Sequence, residues 1–247
     1  MATAGVRVLC LNVALKSRGP EPATSELPDC TLSATIKLMP NPWLNVPLQD
    51  YEAHMNAPHV AQLGVLADLF EETLRRCGPS SVAILGIAGG NGLSRIDPAM
   101  VTRVVGVDIN PAYLEAVRSR FQAELPLTLH CLDLAVEVVP EAPVDLVHAA
   151  LIFEHAGTAG CLDSAVSLVS PHGYLSAVLQ LAPNDAEPNV APSPYPAMQT
   201  LGEHFRLVEP GNLRQRIEVR GFELQHETRR ALPAGKGFWL GIFGRLS

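Results

Sequence analysis

The chain has 247 residues, 47% of them hydrophobic and 17% charged, with a formal net charge of −7. At roughly 100–200 residues per domain this is one large domain or one domain with an appendage, apolar enough for a sizeable core, and global disorder is excluded. The acidic balance, with basic pairs only at Arg75-Arg76 and Arg229-Arg230, argues against a nucleic-acid or anionic-membrane surface, and no apolar run reaches the ~18 residues that span a bilayer.

Five cysteines, Cys10, Cys30, Cys77, Cys131 and Cys161, include no CxxC pair. A disulfide framework or a zinc site is therefore not expected, and a reducing, cytoplasmic setting fits. Residues 1–48 read as an N-terminal extension, partly irregular, ahead of a domain over 49–247. The first 20 residues lack acids, carry Arg7, Lys16 and Arg18, and are mostly apolar from Val6 to Leu15. In a targeting peptide the basic residues precede the apolar run. Here they mostly follow it, so an extension is the expectation.

From Asn56 the pattern changes. "NAPHVAQLGVLADLFEETLRRCG" places Val60, Leu63, Leu66, Phe70 and Leu74 at helical spacing, with Pro58 in the first turn and Gly78-Pro79 as the stop. Strands and helices then alternate. Strands are expected at Val82–Ile87, Thr102–Ile109, Leu127–Leu132, Val144–Leu151 and Gly173–Leu181. Helices are expected at Ala112–Glu124, entered through Asn110-Pro111, and at Ala159–Val169. This alternation predicts an α/β fold with a mostly parallel sheet and helices on both faces. Between Pro183 and Pro196 lie five prolines in 14 residues, which predicts a loop or lid. Ala197–Phe205 and Asn212–Gly221 read as helices. "FELQHETRRAL" and "GFWLGIFGRL", joined by "PAGKG", read as a terminal β-hairpin, so the sheet has seven strands.

The first strand runs into "IAGGNG". In an open α/β sheet the ligand crevice lies at the carboxyl ends of the strands, and a glycine turn there brings backbone N–H groups close to a ligand. Asp108 ends the second strand, 16 residues after Gly92, where a carboxylate accepts both hydroxyls of a ribose. Asp133 ends the third strand, where it can accept from an adenine amine. The dinucleotide fingerprint GxGxxG fails: from Gly90 and Gly92 it needs glycine at Arg95, and from Gly86 it needs glycine at Ala88. Pro98 also interrupts any helix after the turn. The pattern suits a nucleoside ligand without phosphates.

The ordered set of glycine turn, "VVGVDINPAYLEAV", "CLDL", "VDLVHAALIFEHA", "SPHGYLSAVLQL" and terminal hairpin resembles the class I S-adenosylmethionine-dependent methyltransferases. The resemblance covers about Asp50 to the C-terminus and implies a seven-stranded Rossmann-like sheet with a C-terminal antiparallel hairpin. It implies S-adenosyl-L-methionine as cofactor, with Ala88, Gly90 and Gly92 on the family's GxGxG turn. Asp108 matches the ribose-binding acid and Ile109 the adenine-packing residue. Asp133 and Leu134 match the adenine-reading pair, and Ala149 to Leu151, centred on Ala150, match the end of strand four beside the sulfur. Gly86 stands where the family usually has an acid, and Ala88 where it has its first glycine. The motif after strand four, "AALIFEHA", is not the Asn-Pro-Pro-aromatic type, which disfavours DNA and glutamine as acceptors.

Further candidates follow from position. Glu154 and His155 lie just past strand four, on the acceptor side that the resemblance implies, with His155 a candidate general base. Tyr51 and Met55 precede the first long helix, in a segment that folds over the cofactor in similar enzymes. Tyr195 and Met198 are candidate lid residues, and Trp239 and Phe243 share a strand face and read as core. His54 and His59 have no carboxylate at a matching step, so no metal is expected. The expected function is methyl transfer from S-adenosylmethionine to an unidentified small-molecule acceptor. The rivals are a non-catalytic nucleoside-binding or partner-binding relative and a nicotinamide-dependent oxidoreductase.

Overall fold

Residues 41–181 and 190–246 are described by the structure, a computed structural model. The extension up to residue 40 and part of the proline-rich segment, 182–189, lie outside the described residues. The strands are β1 (Ser81–Leu85), β2 (Arg103–Asp108), β3 (Leu127–Cys131), β4 (Val144–Ala150), β5 (Val169–Leu181), β6 (Phe222–Ala231) and β7 (Gly237–Arg245). They form one sheet in the order β3-β2-β1-β4-β5-β7-β6. The first five run parallel, and β7 is antiparallel to both β5 and β6. The seven-stranded, mostly parallel sheet with a terminal antiparallel hairpin is the architecture expected from the sequence.

The helices are α1 (Leu48–Asn56), α2 (Gln62–Cys77), α3 (Pro111–Phe121), α4 (Phe153–Ala156), α5 (Gly160–Ser167), α6 (Pro196–His204) and α7 (Pro210–Glu218). Alternate residues of β1 face opposite layers. Val82 and Ile84 pack with Phe70, Leu114 and Val117 of α2 and α3. Ala83 and Leu85 face Leu162 and Ala165 of α5 and Leu213 and Ile217 of α7. Central strands covered on both sides are apolar throughout, which is why they read as continuous apolar runs. β6, at the sheet edge, alternates instead. Among the described residues no helix is long and apolar enough to cross a membrane.

Several boundaries differ from the sequence reading. The helix expected from Asn56 begins at Gln62, and Leu48–Asn56 is a separate helix. Pro58 is the reason: it forces Ala57 into an extended conformation (ψ 141°) and breaks the helical path. α5 ends at Ser167, and β5 begins at Val169 rather than Gly173, with a register irregularity between Val144 and Leu146 absorbing Ser170-Pro171. The turn after β1 leads only into a single 3-10 turn, Leu93–Arg95, as the break at Pro98 predicts.

The hairpin anchors the end of the sheet. Trp239 and Phe243 are buried on one face with ring centroids 6.3 Å apart, and Trp239 Nε1 donates to Glu227 Oε2 at 2.9 Å. Trp239→Ala is expected to lower unfolding free energy in urea by about 3–5 kcal/mol. A loss below about 1 kcal/mol would show that the hairpin does not share the core.

Candidate active site

The site starts from one turn. After Leu85 the backbone enters left-handed conformations at Gly86 (φ +73°) and Ala88 (φ +46°). Gly86 and Ile87 donate their N–H groups to Val107 O, at 2.9 and 3.0 Å, which lashes the turn to the end of β2. Ala88 N–H reaches Asp108 Oδ2 at 2.9 Å, and the other carboxylate oxygen accepts Asn110 N–H at 2.9 Å. A left-handed alanine costs roughly 1–2 kcal/mol, which the charge-assisted bond to Asp108 offsets. Asp108 is 8% exposed. Burial pushes its carboxyl up, while the N–H groups of Asn110, Ala88 and Ile109 pull it down. A carboxylate has about four lone-pair directions, so acceptor capacity remains beyond these backbone bonds.

Around Asp108 lies a cavity of about 120 Å³, far more than the ~10–15 Å³ one water occupies. Its roof comes from outside the sheet. The 3-10 turn Pro42–Asn45 is tied down by Asn110 Nδ2 donating to Trp43 O at 2.9 Å and by Tyr113 Oη donating to Val46 O at 3.0 Å. A row of rings then crosses the mouth. Tyr113 meets Tyr51 (6.2 Å between centroids), Tyr51 meets Trp43 (5.7 Å), Trp43 meets His155 (4.8 Å) and His155 meets Phe205 (5.1 Å). Val46 packs with Met198 and Leu201 of α6, closing the roof against the second half of the chain.

Most sequence-predicted residues converge here. Gly86, Ala88, Asp108 and Ile109 line the cavity, with Asp133 and Leu134 beyond them. Ala150 lines it from the end of β4, and Tyr51, Met55 and His155 from the roof side. Met198 lines it as well, whereas Tyr195 does not. Gly90 and Gly92 lie outside the lining. A Cβ at Gly90 would come within 2.7 Å of the Phe121 ring, and one at Gly92 within 3.1 Å of Phe70. These glycines let α3 and α2 approach the turn from behind.

Glu154 is also absent from the lining. It is 1% exposed and accepts Gln180 N–H on Oε1 at 2.8 Å, while Oε2 has no partner among the described residues. Burial pushes its carboxyl up to about 7. Its neighbour His155 is partly exposed and gripped between Trp43 and Phe205, with Nδ1 sealed and unpartnered among the described residues. Burial pulls this imidazole down to about 4, so it is neutral near pH 7.

The donor set fits a nucleoside. A buried carboxylate with spare acceptor capacity ends β2, bare backbone lines the turn, and Ile109 and Leu134 offer an apolar wall beside Asp133. The Gly86 corner is apolar: a Cβ there would sit 3.0 Å from Ile152 Cδ1, so Ile152 fills the place an acidic side chain at 86 would take. Sequence reasoning missed Trp43, Tyr113, Gln180 and Phe205, which also line the cavity. The signal for Trp43 was local. Asn41-Pro42 is a helix start, and the Asn41 side chain accepts Trp43 N–H at 3.1 Å. Nothing local distinguishes Gln180 or Phe205.

Residues 82–173 match the methyltransferase domain family. No curated protein matches the chain. Among solved structures it is similar to the N-methyltransferase NodS from Bradyrhizobium japonicum WM9 in complex with S-adenosyl-L-homocysteine, at 14% identity and TM-score 0.63 over 84% of this chain and 100% of that one. It is similar to magnesium protoporphyrin IX methyltransferase from Synechocystis PCC 6803 with bound S-adenosylmethionine, at 12% identity and TM-score 0.55 over 78% and 83% of the two chains. The cyclase SpnF is similar at 11% identity and TM-score 0.57, over 74% and 80%. Residues 82–173 thus match the methyltransferase domain family, and the strand order is that of the solved methyltransferase structures, so the chain has the fold of the class I S-adenosylmethionine-dependent methyltransferases.

Proposed function

We propose that this protein binds S-adenosylmethionine and transfers its methyl group to a small, uncharged, largely apolar acceptor. The observation that carries the reading is Asp108. Its buried carboxylate is held by the backbone N–H groups of Ala88, in the turn after β1, and Asn110, after β2, and faces a cavity lined largely by aromatic and apolar residues. Similar structures hold S-adenosylmethionine or S-adenosylhomocysteine, which supports the same cofactor here. The bound cofactor supplies an electrophilic methyl carbon on a sulfonium. What remains for the protein is alignment and exclusion of water.

In this reading Asp108 accepts the ribose hydroxyls. Ile109 and Leu134 pack the adenine, and Asp133 accepts from its amine. Gly86 and Ala88 present bare backbone, and Ala150 leaves room at the end of β4. Gly90 and Gly92 act indirectly, by allowing α2 and α3 to brace the turn. Tyr51 and Met55 cover the site. No lysine or arginine lines the cavity among the described residues, so an anionic acceptor finds no counter-ion there. His155, neutral near pH 7, accepts a hydrogen bond from an acceptor O–H or N–H, turns the lone pair toward the methyl carbon and receives the proton. Glu154 buttresses this corner through Gln180 instead of touching the acceptor.

A second reading keeps the nucleoside site without methyl transfer. Ile152 in the place of an acidic side chain favours it, as does a cyclase among the proteins of this fold. Product analysis over an acceptor panel separates the two: methylated product supports the first, and binding without product supports the second.

Calorimetric titration should show S-adenosylmethionine and S-adenosylhomocysteine binding and NADH not binding. Absence of both sulfur ligands well above micromolar concentration sinks the proposal. Asp108→Ala should weaken S-adenosylhomocysteine binding at least about tenfold, the loss of roughly 1–3 kcal/mol of charge-assisted hydrogen bonding. Unchanged affinity would mean that the ligand lies elsewhere.

Two titrations should separate chemistry from stability. With His155 depressed to about 4, activity should show no inflection near pH 6.5 and should fall only as the pH approaches 4. An inflection near 6.5 that disappears in His155→Gln would mean an exposed, ordinary imidazole. Glu154 has the opposite sign. Its folded carboxyl is raised to about 7, so its contribution is fully present below its unfolded value and is lost as the pH rises through 7. Glu154→Gln should match the parent near pH 4.5 and exceed it by about 1–3 kcal/mol at pH 8 in urea unfolding. A constant difference across that range would refute the burial argument.

A further inference from the structure

We propose that Arg120 and Glu52 are positioning residues that clip α1 onto the carbonyl of Gly89 and so hold Tyr51 and Met55 over the cavity. Arg120 lies in the last turn of α3, and Glu52 in the middle of α1. The guanidinium grips the carboxylate with both nitrogens, Nη1 to Oε1 at 2.5 Å and Nη2 to Oε2 at 3.1 Å. Nη1 also donates to Gly89 O at 2.9 Å. One planar fork thus joins three elements 68 and 31 residues apart in the chain: the roof helix, the helix after β2 and the turn that carries Gly86 and Ala88.

Most exposed ion pairs contribute little, because two long side chains must be ordered for a screened attraction. This one differs in geometry. It is bidentate, and its third bond is to a carbonyl that does not move with either side chain. The glycine supplies independent support. Gly89 is not in the left-handed region, so its backbone does not require glycine. Its neighbours crowd it instead. A Cβ there would overlap Glu52 Oε1 and sit 2.9 Å from Arg120 Nη1 and 3.0 Å from Leu48 Cδ1. A side chain at 89 would have to push these side-chain ends aside, so it acts as a wedge under α1 and its ion pair. Residues 51 and 55 fall one turn apart on the same side of α1 and point into the cavity, while Glu52 points toward Arg120. Loosening the clip therefore lets Tyr51 and Met55 lift together.

The effect on ligand binding rests on the proposed cofactor reading, but the clip itself does not. The experiment has two readouts on the full chain: hydrogen exchange of the peptide covering 48–56, and calorimetric affinity for S-adenosylhomocysteine. The proteins are the parent, Arg120→Ala, Gly89→Ala and the double variant. Exchange in 48–56 should accelerate in each variant while the sheet peptides and the melting temperature hold. Unchanged exchange there overturns the clip, whatever the ligand does. Affinity should fall about three- to tenfold in each single variant, and the double should be no weaker than the weaker single, because a wedge has nothing to pry once the fork is gone. Affinity unchanged in both single variants, or losses that simply add, overturns the positioning role. If the parent itself binds no sulfur ligand, the cofactor reading and the positioning role fall together, and the exchange data still decide the clip. Arg120→Lys, which keeps the charge and loses the fork, should fall between parent and Arg120→Ala in both readouts.

Discussion

The site depends on the carboxylate of Asp108. One oxygen holds the turn after β1 through Ala88, and the other holds the entrance to α3 through Asn110. Removing a carboxylate from water costs several kcal/mol unless hydrogen bonds replace its hydration. Here backbone N–H groups replace part of it, and the upward shift of the carboxyl shows that the replacement is incomplete. The residual deficit is what a diol-bearing ligand can remedy. Asn110 then extends the arrangement outward, because its side-chain oxygen caps α3 at Ala112 N–H while its nitrogen ties down Trp43 O. Strand end, helix start and roof are thus linked through two polar residues, Asp108 and Asn110, separated only by Ile109.

The roof is built differently from the floor. The floor is strand ends, set by the register of the parallel sheet. The roof is a row of rings from segments far apart in sequence, with edge-to-face contacts of Trp43 on Tyr51 and His155 and of His155 on Phe205. Such contacts are worth about 0.5–1.5 kcal/mol each beyond area burial and fix orientation as well as proximity. They also bury His155, and that burial pulls its imidazole down and keeps it neutral near pH 7.

Much of the floor was legible in the sequence because its signals are local. Val82–Ile87 and Thr102–Ile109 read as strands from their apolar runs. Asp108 and Asp133 were identified by standing one residue past such runs, or close to it. The glycines show the limit of that logic. Gly86 and Ala88 line the cavity, but Gly89, Gly90 and Gly92 are bare because of Glu52, Phe121 and Phe70, partners that no spacing rule reveals. Glu154 and His155 are adjacent in sequence and equally close to the end of β4. One turns into the core and the other toward the cavity, a distinction set by the short helix they share and invisible from composition. Phe205 and Gln180 reach the cavity only through tertiary packing.

The formal charges among the described lining residues are all negative, and that bears on chemistry. Asp108 and Asp133 stand among neutral aromatic, imidazole and amide groups. In the proposed reading a sulfonium held in this cavity would be drawn by the acids and would meet no opposing cation among the described lining residues. An ordinary histidine, half protonated near pH 6.5, would place positive charge beside it for part of the time. Such a charge would repel a cationic ligand held in the same cavity. Depressing His155 to about 4 removes it, at the cost of making the imidazole a weaker base. A weak base suffices when the methyl carbon is already strongly electrophilic and the acceptor needs to lose its proton only as the new bond forms. The same burial that excludes water therefore sets the protonation state compatible with a cationic cofactor.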